Sequence, residues 1–90
     1  MNRTHGYDAR YLADLIIDKT PQIRESKEYK NQMNRIVDET MSCDRQEAID
    51  WMTHYMAQAI EAGTGKKDMR LRCRFLAAYD LQAELISVRA

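Results

Sequence analysis

The segment DRQEAIDWMTHYMAQAIEAG, residues 44–63, decides the fold class. Within it Ala48, Ile49, Met52, Tyr55, Met56, Ala59 and Ile60 recur at three- and four-residue intervals, the spacing at which side chains share one face of an α-helix. Asp44 and Glu47 stand three apart, the arrangement of a capping box with aspartate in place of the usual serine or threonine. Gly63 follows as a stop, because glycine accepts the left-handed conformation that ends many helices. One amphipathic helix over 45–62 is the expectation.

Upstream, Thr20 and Pro21 read as an N-cap followed by proline at the first helical position, where a missing N–H does no harm. A helix over 21–41 then carries an apolar stripe of Ile23, Ser26, Tyr29, Met33, Ile36, Val37 and Met41. Glu25, Lys27, Glu28, Asn31, Asn34, Arg35 and Asp38 take the wet face. Asp8 is an N-cap for a shorter helix over 8–19, striped by Leu12, Leu15 and Ile16. Residues 1–7 read as a flexible N-terminal segment.

Downstream, Thr64 opens a helix over 66–87 with Leu71, Phe75, Leu76, Ala78, Tyr79, Ala83 and Ile86 on its broad apolar face. Leu81, Leu85 and Val88 lie on a different side, so the C-terminal half is apolar nearly all round. Such a helix is central in its fold or covered by a second molecule. With one proline and three glycines in 90 residues, the chain has few breaks. The sum is an all-α fold: a single domain over 1–90, built as a small antiparallel bundle of about four helices with short connections. A chain this short buries only about 60% of its unfolded surface, which makes self-association a live expectation.

Lysine plus arginine equal aspartate plus glutamate at 14 each, so no global field draws the chain to nucleic acid or membrane. The charges are nevertheless uneven along the sequence. Lys66, Lys67, Arg70, Arg72 and Arg74 crowd the start of the fourth helix with Asp68 among them, and Lys66, Arg70 and Arg74 are spaced by four along one ridge. This ridge is a candidate contact for phosphates or for an acidic partner, or else a solvated face with salt bridges to Glu61 or Asp80. Asp38, Glu39, Asp44, Glu47 and Asp50 form a candidate acidic patch near the junction of the second and third helices. Acids at a helix start also answer to the macrodipole without any partner. In an up-down bundle the two sets predict an acidic end and a basic end.

Chemistry is sparse by comparison. The run GTGKK at residues 63–67 lacks the spacing and the Ser/Thr of a phosphate-binding loop. Asp50 and His54 stand one turn apart without the further ligands a metal site needs, and no cofactor is indicated. Cys43 and Cys73 lack CxxC spacing and any base in reach, so both are expected as reduced thiols rather than nucleophiles. No enzyme is expected. The N-terminus has no apolar run like a signal peptide, and no stretch approaches the ~18 apolar residues of a membrane span, so the expectation is cytoplasmic with no membrane partner.

Recognition remains. Trp51 sits at the border of its stripe, where tryptophan acts as an interface anchor or as a flank of the core. With Leu81, Leu85 and Val88 it makes the candidate apolar interface, through which a homodimer or a docked helix is expected. The expected function is a non-enzymatic helical protein–protein interaction module. It would be a small inhibitor or adaptor that occupies or bridges a surface of a larger protein or nucleoprotein complex, of the kind phages and other mobile elements direct at host nucleic-acid machinery. The alternative is a nucleic-acid-associated protein that binds the phosphate backbone through the basic start of the fourth helix.

Overall fold

The computed structural model describes residues 8–63 and 68–87, and it is an all-α bundle. Four α-helices follow in order, α1 (Ala9–Lys19), α2 (Lys27–Glu39), α3 (Arg45–Ala62) and α4 (Met69–Ser87), with a short 3₁₀ turn at Ile23–Glu25 between the first two. No strand occurs among the described residues. The segment 1–7, expected to be flexible, lies outside them, as do Thr64, Lys66, Lys67 and Val88.

Local caps set the helix boundaries. Asp8 accepts from the Arg10 N–H at 3.0 Å and starts α1. Thr20 and Pro21 do not start α2, contrary to the sequence expectation. The Thr20 N–H instead donates to the Ile16 carbonyl and closes α1, and the chain tightens into the 3₁₀ turn that buries Ile23. Ser26 is the true cap. Its hydroxyl accepts from the Tyr29 N–H at 3.1 Å while donating to the Ile23 carbonyl at 2.7 Å, so one side chain joins the turn to the helix. It was expected within the apolar stripe. At the far end α2 stops at Glu39, and the buried Thr40 hydroxyl turns back to the Ile36 carbonyl at 2.9 Å. Val37 and Met41, read as core, are consequently exposed, Met41 by 72%.

α3 matches its reading closely. Asp44 and Glu47 form the reciprocal box, with N–H to carboxylate distances of 2.8 and 3.0 Å, and Gly63 ends the helix at φ 104°. Ala48, Met52, Tyr55, Met56 and Ala59 are buried. For α4 the start is Asp68, whose carboxylate accepts the Leu71 N–H at 3.2 Å and whose carbonyl accepts the Arg72 N–H.

α4 is the common partner of α1, α2 and α3, whose contacts with one another are slight. The bundle is therefore arranged around one helix rather than with each helix against its successor. The reason is visible in α4 itself. Phe75, Leu76, Ala77 and Ala78 are consecutive and all fully buried, and four consecutive residues sweep most of a helix's circumference. Full burial of Phe75 or Leu76 contributes about 1.5–3 kcal/mol each, and the alanines let neighbouring helices approach closely. The enclosed stretch thus lies mid-helix. Towards the C-terminus Ala83 and Ile86 are exposed, although both were read as core, while Leu81 packs against the core and Leu85 is half-buried.

α3 runs antiparallel to α4. Arg45, at the start of α3, donates from Nε to the Leu85 carbonyl at 2.8 Å, so a cation sits on the carbonyl end of α4 where the helix dipole favours it. Further along, Gln82 Nε2 donates to the Ile49 carbonyl at 2.9 Å and to Thr53 at 2.8 Å. Near the other end the Arg74 guanidinium lies over the Tyr55 ring.

Candidate aromatic and acidic face of α3

Glu47, Asp50, Trp51 and His54 fall at i, i+3, i+4 and i+7 on α3, which makes them one stripe on the side of the helix away from its buried residues. They line a shallow surface depression of about 340 Å³. Trp51 is 45% exposed, so a large part of its side chain is open to solvent. Two of its neighbours are aromatic. The Tyr55 ring lies 5.7 Å from the indole at an interplanar angle of 31°, and the His54 ring meets it edge-on at 5.4 Å and 81°. The edge-to-face contact with His54 is a favourable geometry, and the tilted Tyr55 ring lies against the indole beside it.

The two carboxylates beside it are occupied on one oxygen each. Glu47 Oε1 accepts the Asp44 N–H, and Asp50 Oδ1 accepts the Gln46 amide at 3.1 Å. Neither forms an ion pair with a described lysine or arginine. The depression therefore combines an open aromatic face with acceptor capacity and negative charge.

The remaining acidic and basic residues are placed differently from expectation. Arg74 does not continue an open ridge. Its guanidinium sits 4.5 Å from the centroid of Tyr55, donates Nη1 to Gln32 Oε1 at 3.2 Å and pairs through Nη2 with Glu39 at 3.1 Å. Gln32, fully buried in α2, completes its own bonding by donating to Glu28 at 2.8 Å. One arginine thus ties α2 and α3 to α4. Burial, and then the Glu39 carboxylate beside it, push the Tyr55 phenol above its ordinary value.

The expected separation of an acidic end from a basic end is accordingly broken at Glu39, which meets Arg74 directly. Asp44, Glu47 and Asp50 do lie towards the C-terminal end of α4, since Arg45 and Ile49 face Leu85 and Gln82, but Arg45 brings a cation among them. Asp38 is exposed beside Glu39. Of the other basic candidates, Arg70 is exposed and Arg72 half-buried, and neither makes an ion pair with a described residue; Lys66 and Lys67 lie outside the described residues. Asp80, read as a partner for that ridge, is instead held by α2 and the turn before it. Arg24 grips both its oxygens at 2.8 Å and the Tyr29 hydroxyl donates at 2.6 Å, so burial and then this carboxylate raise the Tyr29 phenol.

Of the candidate apolar interface, Trp51 is open, Leu81 is partly buried against the core, Leu85 is half-buried, and Val88 lies outside the described residues. Sequence reasoning passed over His54 as part of the Trp51 surface, although its i+3 spacing from Trp51 was the available signal. It missed the Arg24–Tyr29–Asp80 clamp altogether. The lone acid in an apolar stretch of α4 was the clue.

Both thiols are free, and Cys73 is fully buried with its Sγ 3.8 Å from the Ser26 hydroxyl. Burial pushes the Cys73 thiol up, which disfavours the thiolate. No group of three or more metal-ligating side chains occurs among the described residues, and none of their helices is long and apolar enough to cross a membrane. No family model, curated protein or solved structure matches the chain.

Proposed function

We propose that this chain is a non-enzymatic protein–protein interaction module, a small inhibitor or adaptor, which meets a larger macromolecular partner through the exposed face of α3. One observation carries the reading: Trp51 is 45% exposed yet in ring contact with His54 and Tyr55, with Glu47 and Asp50 at its margin. A half-covered tryptophan packed against neighbouring rings is the type of residue that contributes most to interface energy, because it brings a large contact area for few rotatable bonds. Carboxylates at its rim steer a basic surface towards it. In this reading the partner is a protein or nucleoprotein complex that offers such a surface, and the setting is the cytoplasm. The nucleic-acid alternative draws less support, since Arg74, a third member of the proposed phosphate ridge, is committed to Glu39, Gln32 and Tyr55.

The test is comparative affinity capture from the source cell, with the native chain against Trp51→Ala and Asp50→Lys variants whose helix content is first checked by circular dichroism. A prey set that is retained by the native chain and lost by both folded variants is the expected result. Equal recovery by all three places the contact elsewhere and refutes the α3 reading.

A further inference from the structure

The molecule contains two aromatic stations one helical turn apart on α3, and only one of them holds a cation. At Tyr55 the structure displays how such a station is filled. The Arg74 guanidinium lies 4.5 Å from the ring centroid and is anchored at its edge by the Glu39 carboxylate at 3.1 Å. At Trp51 the ring is larger, a stronger cation–π acceptor, and open to solvent. Two carboxylates stand beside it, each with one oxygen left over from its own intrahelical bond. No described lysine or arginine pairs with either.

We infer that the Trp51 depression receives an arginine side chain of the partner protein, with the guanidinium laid on the indole and its N–H groups donated to Glu47 and Asp50. The inference rests on the reading of α3 as the contact face and names what that face takes. Charge complementarity selects a cation over an acidic or phosphorylated group, because an anion would approach two carboxylates. Planarity selects arginine over lysine. A guanidinium stacks on a ring and still presents in-plane donors to carboxylates, whereas an ammonium is a compact, strongly hydrated point charge. His54, edge-on to the indole, lines the same depression.

Trp51 is the sole tryptophan of the chain, so its fluorescence reports on this depression alone. The experiment is a titration at low ionic strength with a short blocked glycine–arginine peptide, alongside versions in which lysine or the uncharged isostere citrulline replaces arginine. A saturable change with an affinity on the order of millimolar is expected, since an exposed cation–π contact with flanking carboxylates is a weak site on its own. Binding should fall about tenfold for citrulline and at least about twofold for lysine. It should also fall about tenfold in the Glu47→Gln/Asp50→Asn double variant, which keeps the capping box and the Gln46 acceptor. Equal binding of citrulline or lysine, an unaffected double variant, or tighter saturation by a uniform dT oligonucleotide would each overturn the inference. If the arginine peptide fails while capture of a partner still depends on Trp51, the α3 face stands and the arginine assignment falls. If capture also ignores Trp51, both fall together.

Discussion

Tyr55 and Trp51 occupy successive turns of one helix, yet they do opposite work. Tyr55 is buried under Arg74, which is bound to Gln32 and Glu39 of α2, so its surroundings come from three helices. Trp51 is half exposed, and its flanking acids bond only within α3 and its cap. The difference lies in what reaches each ring. α4 brings Arg74 over Tyr55, whereas no described lysine or arginine is laid over the Trp51 ring, and Gln82 further along α4 is taken up by Ile49 and Thr53. Similar chemistry therefore stabilises the fold at one station and is left available at the next.

The strongest way to break the contrast is Arg74→Ala. It leaves buried Gln32 without a partner for its carbonyl, removes the Glu39 pair and uncovers Tyr55. We expect a loss of about 2–4 kcal/mol in urea unfolding followed by circular dichroism, as for removal of one member of a partly buried polar network. A loss below about 1 kcal/mol, the usual worth of a surface ion pair, would put Arg74 in the same class as the open station.

A gentler probe is alkaline pH. Tyr55 and Tyr29 both hold their protons more tightly in the folded chain than their ordinary value near 10 implies, because burial and a neighbouring carboxylate disfavour the phenolate. A group whose folded pKa is raised contributes stability that is complete below the unfolded pKa and is lost as pH rises through the folded one. Stability should therefore hold to about pH 9.5 and fall above it. Tyr55→Phe should flatten part of that fall, and an unchanged slope would contradict the assignment.

How much of this was legible in the sequence varies by helix, for physical reasons. In α3 the capping box, the stripe and Gly63 all agree, and its boundaries were readable to the residue. In α2 two capping signals compete within a few residues. Thr20–Pro21 has the composition of a start, but Ser26 makes the bonds, and nothing local says which will be preferred. The central role of α4 was foreshadowed by its all-round apolar character, yet its enclosed stretch was placed too far towards the C-terminus. Cys73 and Ala77 are small and weigh little in a hydrophobic pattern, although small side chains are what allow helices to crowd around it. Trp51 was singled out by its position at the border of a stripe. The fate of Arg74 was not, because Gln32, Glu39 and Tyr55 come from two other helices and meet it only through tertiary packing.

The central claim is that the indole of Trp51 is presented to solvent in the free chain and covered by the partner. Acrylamide quenching of its fluorescence tests this most directly, measured on the free chain and on the complex recovered by affinity capture. Ready quenching of the free chain and at least a threefold drop in the quenching constant on binding are predicted, in keeping with burial of a half-exposed aromatic at an interface core. The same quenching constant in both states would contradict it.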